Sequence, residues 1–167
     1  MLASSQIMRQ IFRFSRMTLE VDGDLSIANE IIQQIERWDQ AIINQDINEL
    51  LGQCISDVSL FDVSSQLHGI EEYKIEWEKF SPFIKGKMSI SRRDAKLYVS
   101  DQLAILHCHS KVESAAVQYK QKMPWCRTTL CLQQIQGRWC VIHQHISVPI
   151  DMSTGKVVIL KDRVAAM

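Results

Sequence analysis

Four of the five histidines in this chain come in pairs one residue apart: His107 and His109 in LHCHS, and His143 and His145 in RWCVIHQHISVP. Alternate residues of a strand project to one face, so each pair would present two imidazoles side by side. On the strand running into Pro149, alternation sets Trp139, Val141, His143, His145 and Ser147 against Cys140, Ile142, Gln144 and Ile146. An imidazole in a dry layer must find a hydrogen-bond partner, so the first set suits the wall of a semi-polar cavity better than a sealed core. His143 would then act on a bound ligand, with His145 and Ser147 lining the cavity beside it.

The segment before it, WCRTTLCLQQI, carries Trp125, Arg127, Thr129 and Cys131 on one side and is joined through the turn at Gln136 and Gly137. Across that turn Arg127 and Thr129 would stand next to the histidines, where together they suit an anionic or carbonyl oxygen. Taken singly, a strand arginine is as often solvated and a strand threonine as often a mere β-former. If both histidine pairs converged, four nitrogens would suit zinc, copper or iron. No carboxylate stands beside either pair to orient the rings, so a metalloprotein ranks last and no metal or cofactor is assigned.

Asp62 interrupts the apolar run VSLFDV, which is unfavourable unless it caps, turns or works. Enclosed in a pocket it would rise toward neutral pKa and serve as a general base, with Trp38, Trp77 and Phe80 as aromatic walls. Plain core packing is the first expectation for those aromatics.

The elements that must position these groups follow from periodicity. Ile27, Ile31, Ile35, Trp38 and Ile42 draw one helical stripe, with Ser26 as the expected N-cap. Asp46 opens a short second helix with Ile47, Leu50, Leu51 and Cys54 inward, and a strand over VSLFDV follows Asp57. After His68 and Gly69 a third helix carries Ile70, Tyr73, Trp77 and Phe80 until Ser81 and Pro82 stop it. Four strands then fill the rest. Helices followed by antiparallel strands predict an α+β domain in which the helices cover one face of a curved sheet and enclose a pocket. The domain is expected over 25–160, with a tail over 161–167. Residues 1–24 read as an extension, disordered or an extra helix, in which Arg9, Arg13 and Arg16 alternate with apolar residues and Met17 is an alternative start.

Nineteen basic residues balance nineteen acidic ones, which leaves no electrostatic footprint for nucleic acid or an anionic membrane. Five cysteines without a CxxC pair read as reduced thiols in a cytoplasmic protein. No apolar stretch approaches the roughly 20 residues of a spanning helix.

The spaced pattern WDQAIINQDINELLGQCISDVSLFD, the HG at 68 and 69, and the ending WCRTTLCLQQIQGRWCVIHQHISVP with DMSTGK after it carry a resemblance. Over roughly residues 27–156 the chain resembles the SnoaL-like, ketosteroid-isomerase-like branch of the nuclear-transport-factor-2-like superfamily. That resemblance implies a cone-shaped, cystatin-like α+β fold, a curved mixed sheet wrapped on helices, an apolar cavity open at one end, and a homodimer formed through the sheet. It puts the isomerase base on Asp62, the tyrosine donor on Trp38 and the second acid on Thr129. The last two depart from the pattern, since an indole N–H and a threonine hydroxyl are weaker oxyanion donors than a phenol and a carboxylic acid. The ending also resembles the association domain of calcium/calmodulin-dependent kinases, which assembles and does not catalyse.

The expected function is binding of a small, partly apolar ligand, with isomerase- or cyclase-type proton transfer next to a carbonyl and no cofactor. The alternative is a non-catalytic association module that uses a sheet face carrying Leu103, Ile105, Leu130 and Leu132.

Overall fold

The structure, a computed structural model, describes residues 10–14, 17–81, 86–115 and 124–161. In chain order the elements are β1 (Gln10–Phe14), β2 (Met17–Asp22), α1 (Leu25–Asn44), α2 (Ile47–Gly52), β3 (Cys54–Phe61), β4 (Gln66–His68), α3 (Gly69–Phe80), β5 (Met88–Val99), β6 (Leu103–Ser114), β7 (Cys126–Ile135) and β8 (Arg138–Ser147). The described strands form one open, mixed sheet in the order β1-β2-β5-β6-β7-β8-β3-β4. Neighbours run antiparallel except β2 with β5 and β3 with β8. This is the expected α+β architecture.

Asp24, not Ser26, caps α1: its Oδ1 accepts from the Ile27 amide at 3.0 Å, so the helix starts one residue before the expected cap. Asp46 opens α2 as expected, accepting from the Glu49 amide at 3.0 Å. Cys54 is already the first residue of β3 and not the end of that helix. The apolar stripe of α1, with Ala28, Ile31, Ile35 and Trp38 fully buried, packs on Leu97, Leu106, Leu130, Leu132 and Val141 from the facing side of the sheet. One charged pair crosses this layer. Arg92 of β5 makes a two-pronged contact to Asp39 of α1, its Nε lying 2.9 Å from Oδ2.

Residues 10–14 and 17–22 are strands of the sheet, neither helical nor an appendage. β1 and β2 form a hairpin, and β2 docks parallel to β5, placing Leu19 and Val21 in the core. The alternation in Thr18-Leu19-Glu20-Val21 is a strand signal, so the domain begins before residue 24. Gly23 is required at the exit from β2: a Cβ there would lie 2.4 Å from the Val99 carbonyl oxygen, at a φ of +135°. Arg9, Arg16 and residues 162–167 lie outside the described residues.

Candidate functional site

A cavity of about 240 Å³ opens between α3 and the helix-facing side of the sheet. Steps of three and four residues on α3 turn Tyr73, Glu76, Trp77 and Phe80 to it, and Leu60 and Phe61 reach it from the end of β3. Its walls are mainly apolar. The polar exceptions are Asp62, Tyr73, Glu76, Ser110, Cys126 and Gln144.

Asp62 stands at the rim. It follows the last residue of β3, its Oδ1 accepts from the Val63 amide at 2.6 Å, and its own amide donates to the Ser65 carbonyl at 2.8 Å. It thus forms the turn into β4, and its side chain is exposed, not enclosed by aromatic walls as expected. Tyr73 lies deeper. Burial pushes its phenol above the ordinary range, with the Cys54 thiol and the Asp62 carboxylate adding to the effect, so the hydroxyl stays protonated and can donate. Burial, and then Asp62, likewise raises the Cys126 thiol. Ser110 is already engaged, its Oγ lying 2.5 Å from the Thr128 hydroxyl. Neither the Tyr73 hydroxyl nor the Gln144 carboxamide is engaged by another described side chain.

Trp38 does not reach the cavity. It is fully buried behind Tyr73, the two rings stacked with centroids 6.5 Å apart, and its indole nitrogen has no partner among the described residues. The phenol that opens on the cavity belongs to α3. Trp77 does line the cavity.

The last strand places its histidines on the other side. Trp139 and Val141 face the helices, but β8 pairs Val141 with Leu132 and His143 with Cys131, which leaves Ile142 as an extra residue. This bulge inverts the alternation. Beyond it Gln144 pairs with Leu60 and Leu130, and Ile146 with Thr128; these two residues reach the cavity. His143, His145 and Ser147 therefore share the outer face, opposite the expected one, where Phe61, which also reaches the cavity mouth, sets its ring against both imidazoles.

On that outer face the expected neighbours do meet. Thr129 pairs with both His107 and His145, and Arg127 with both His109 and Ser147, so all four clustered histidines share one surface. His143 Nδ1 lies 2.8 Å from Ser59 Oγ, and Phe61 sets its edge against the His143 ring at 5.0 Å. His109 Nδ1 lies 3.2 Å from Asp94 Oδ2, a carboxylate brought in by the irregularity in β5. The Trp125 ring has the guanidinium of Arg93 at 4.3 Å and the ammonium of Lys111 at 5.3 Å from its centroid. Among the described residues no group of three or more His, Cys, Asp or Glu is placed to hold a metal ion. Leu103 and Ile105 also lie outside, whereas Leu130 and Leu132 are buried under the helices, so the four do not form one face.

The family model described as "SnoaL-like domain" matches residues 31–151. The chain belongs to the SnoaL-like family. Among solved structures, a nuclear-transport-factor-2-like protein of unknown function from Pseudomonas putida KT2440 is similar at 28% identity and a TM-score of 0.74, over 83% of this chain and 99% of that one. A protein with a cystatin-like fold from Nostoc punctiforme shares 16% identity at a TM-score of 0.63, over 75% and 93%. A candidate scytalone dehydratase from Novosphingobium aromaticivorans shares 12% at a TM-score of 0.66, over 86% and 96%. No curated protein matches the chain. No described helix is long and apolar enough to cross a membrane.

Sequence reasoning thus reached the rim and one wall of this SnoaL-like cavity through Asp62, Trp77 and Phe80. It missed Gln144, Cys126 and Ser110, which sit among apolar neighbours in strands and carry no spacing signal. Tyr73 was visible as a member of the α3 stripe, but nothing in that stripe told a cavity wall from core.

Proposed function

We propose that this SnoaL-like domain binds a small, largely apolar carbonyl compound and moves a proton on it without a cofactor. Asp62 takes the proton from the carbon next to the carbonyl, the electron pair shifts onto the carbonyl oxygen, and Tyr73 and Gln144 hold the resulting enolate. Return of the proton to another carbon completes an isomerisation, so no co-reactant is needed. One observation carries this reading: a mainly apolar hollow in which a protonated phenol and a carboxamide are engaged by no other described side chain and a carboxylate stands at the mouth. His143, Arg127, Thr129 and Trp38 have no part in it, because the sheet or Tyr73 stands between them and the hollow.

The test is deuterium uptake from heavy water into one- and two-ring ketones, followed by NMR. Uptake should be lost in Asp62→Asn and fall about a hundredfold in Tyr73→Phe, the usual effect of removing one oxyanion donor. Wild-type protein that exchanges none of the panel, or Asp62→Asn with full activity, rejects it.

A specific observation supports a homodimer through the outer face as well. Tyr98, Leu103 and Ile105 are 41%, 48% and 43% exposed, and Tyr98 pairs directly with Ile105 across β5 and β6. Ile105→Lys should turn a dimer into a monomer in sedimentation; a wild-type monomer at micromolar concentration rejects the assembly. The five free thiols fit a cytoplasmic location, which cell fractionation checks.

A further inference from the structure

The ionised side chains among the described residues lining the cavity are both carboxylates, Asp62 and Glu76. Glu76 is tied to the Lys79 ammonium at 3.1 Å, on a side chain that is 66% exposed, whereas Asp62 has no ion pair among the described residues. Beside these acids stand the rings of Tyr73, Trp77 and Phe80 on α3, while Phe61 reaches the rim from the end of β3 with its ring set against His143 and His145. Tyr73 and Trp77 meet edge to face, with centroids 6.4 Å apart and planes at 87°. Aromatic faces carry negative electrostatic potential, so rings and carboxylates together attract a cation, and a carboxylate ligand would meet repulsion from Asp62. The hollow, at about 240 Å³, matches the liquid volume of about eight waters, room for one or two rings.

We infer that the ligand of this cavity is an organic cation: an apolar ring body that fills the hollow and carries an ammonium group held at the rim by Asp62 and the neighbouring aromatic side chains. This deepens, and rests on, the cavity reading above, and makes the substrate class a ketone that bears an amine. Tyr73 and Gln144 hold the oxygen inside while the nitrogen stays at the mouth, so the ligand enters in one orientation.

The experiment is calorimetric titration of the whole protein with three probes of matched size: 2-naphthylmethylamine, 2-naphthalenemethanol and 2-naphthoate. The amine should bind at least about tenfold tighter than the carboxylate and a few-fold tighter than the alcohol. Asp62→Asn should remove the amine's advantage over the alcohol, read as the ratio of the two affinities within the same variant. Asparagine keeps an acceptor for the Val63 amide, and circular dichroism verifies the fold. In wild-type protein, raising the salt to 0.5 M should shrink the amine's advantage, a check that needs no variant. A carboxylate that binds as tightly as the amine, or an advantage that survives both Asp62→Asn and high salt, overturns the inference while leaving the cavity reading intact. If none of the three binds, both fall.

Discussion

The two faces of the sheet are made from the same strands and differ only in parity, yet they hold opposite chemistry. The helix-facing side is built from Leu97, Leu106, Leu130, Leu132 and Val141 and opens into a hollow with few polar groups. The outer side gathers four histidines, Arg127, Thr129, Lys96 and Lys111 around exposed Tyr98, Leu103 and Ile105. The richer collection of reactive side chains is thus the one turned away from the helices. A dense polar face is tolerated where water satisfies it, while polar groups in the interior are mostly paired, as Arg92 is with Asp39 and Ser110 with Thr128, and isolated ones are rare. Such isolated groups, left unengaged beside a hollow, are the better mark of a site.

The comparison can be broken at several points. The largest effect is expected from Asp39→Asn, which strands the buried Arg92 charge on the inner side; urea titration should show a loss of about 3–5 kcal/mol. Next, Leu106→Ala should cost about 2–5 kcal/mol and its outward neighbour Ile105→Ala less than about 1 kcal/mol. Equal losses would mean that a partner buries the outer side as thoroughly as the helices bury the inner one.

An alkaline effect follows from Cys54. Burial first, and Cys140 second, push its thiol from 9.0 up to about 12. The unfolded thiol ionises above 9.0 while the folded one stays neutral, so stability present below 9.0 falls as pH rises toward 12. The loss should reach about 1–2 kcal/mol over the first unit and a half, and Cys54→Ala should flatten that slope in urea titrations at successive pH values. The smallest effect is expected outside. His143→Phe with His145→Phe should change stability by less than about 1 kcal/mol and leave the affinity for 2-naphthalenemethanol within about twofold, whereas Gln144→Leu should weaken it about tenfold. A collapse of ligand binding in the histidine double variant would return those side chains to the site.

Much of the fold was legible because each helix has its own unmistakable signal: the stripe from Ile27 to Ile42, the Asp46 cap, and the three-four spacing of Tyr73, Trp77 and Phe80. The β1–β2 hairpin was not, because Phe12, Arg13 and Phe14 fit an amphipathic helix as well as a short strand pair. The side on which the last strand presents its histidines turned on a single residue. Period two is a sound rule until a bulge adds one position, and nothing in Val141-Ile142-His143 distinguishes a bulged strand from a regular one. Every residue after Ile142 was therefore assigned to the wrong side, which moved Gln144 and Ile146 out of the cavity and the histidines in. Asp62 was expected inside a strand over VSLFDV, whereas β3 ends at Phe61 and Asp62 opens the turn into β4; its exposure depends on how that turn folds back.

The hairpin that opens the fold also has a bearing on aggregation. β5 is twelve residues long, and without β2 alongside, its backbone N–H and C=O groups would form a bare edge inviting another chain to add a strand. With the hairpin in place the sheet ends instead in the five-residue β1, and at its far end in the three-residue β4. Both margins are too short to template much pairing, so removing the first twenty-four residues would be expected to cost solubility before it cost the cavity.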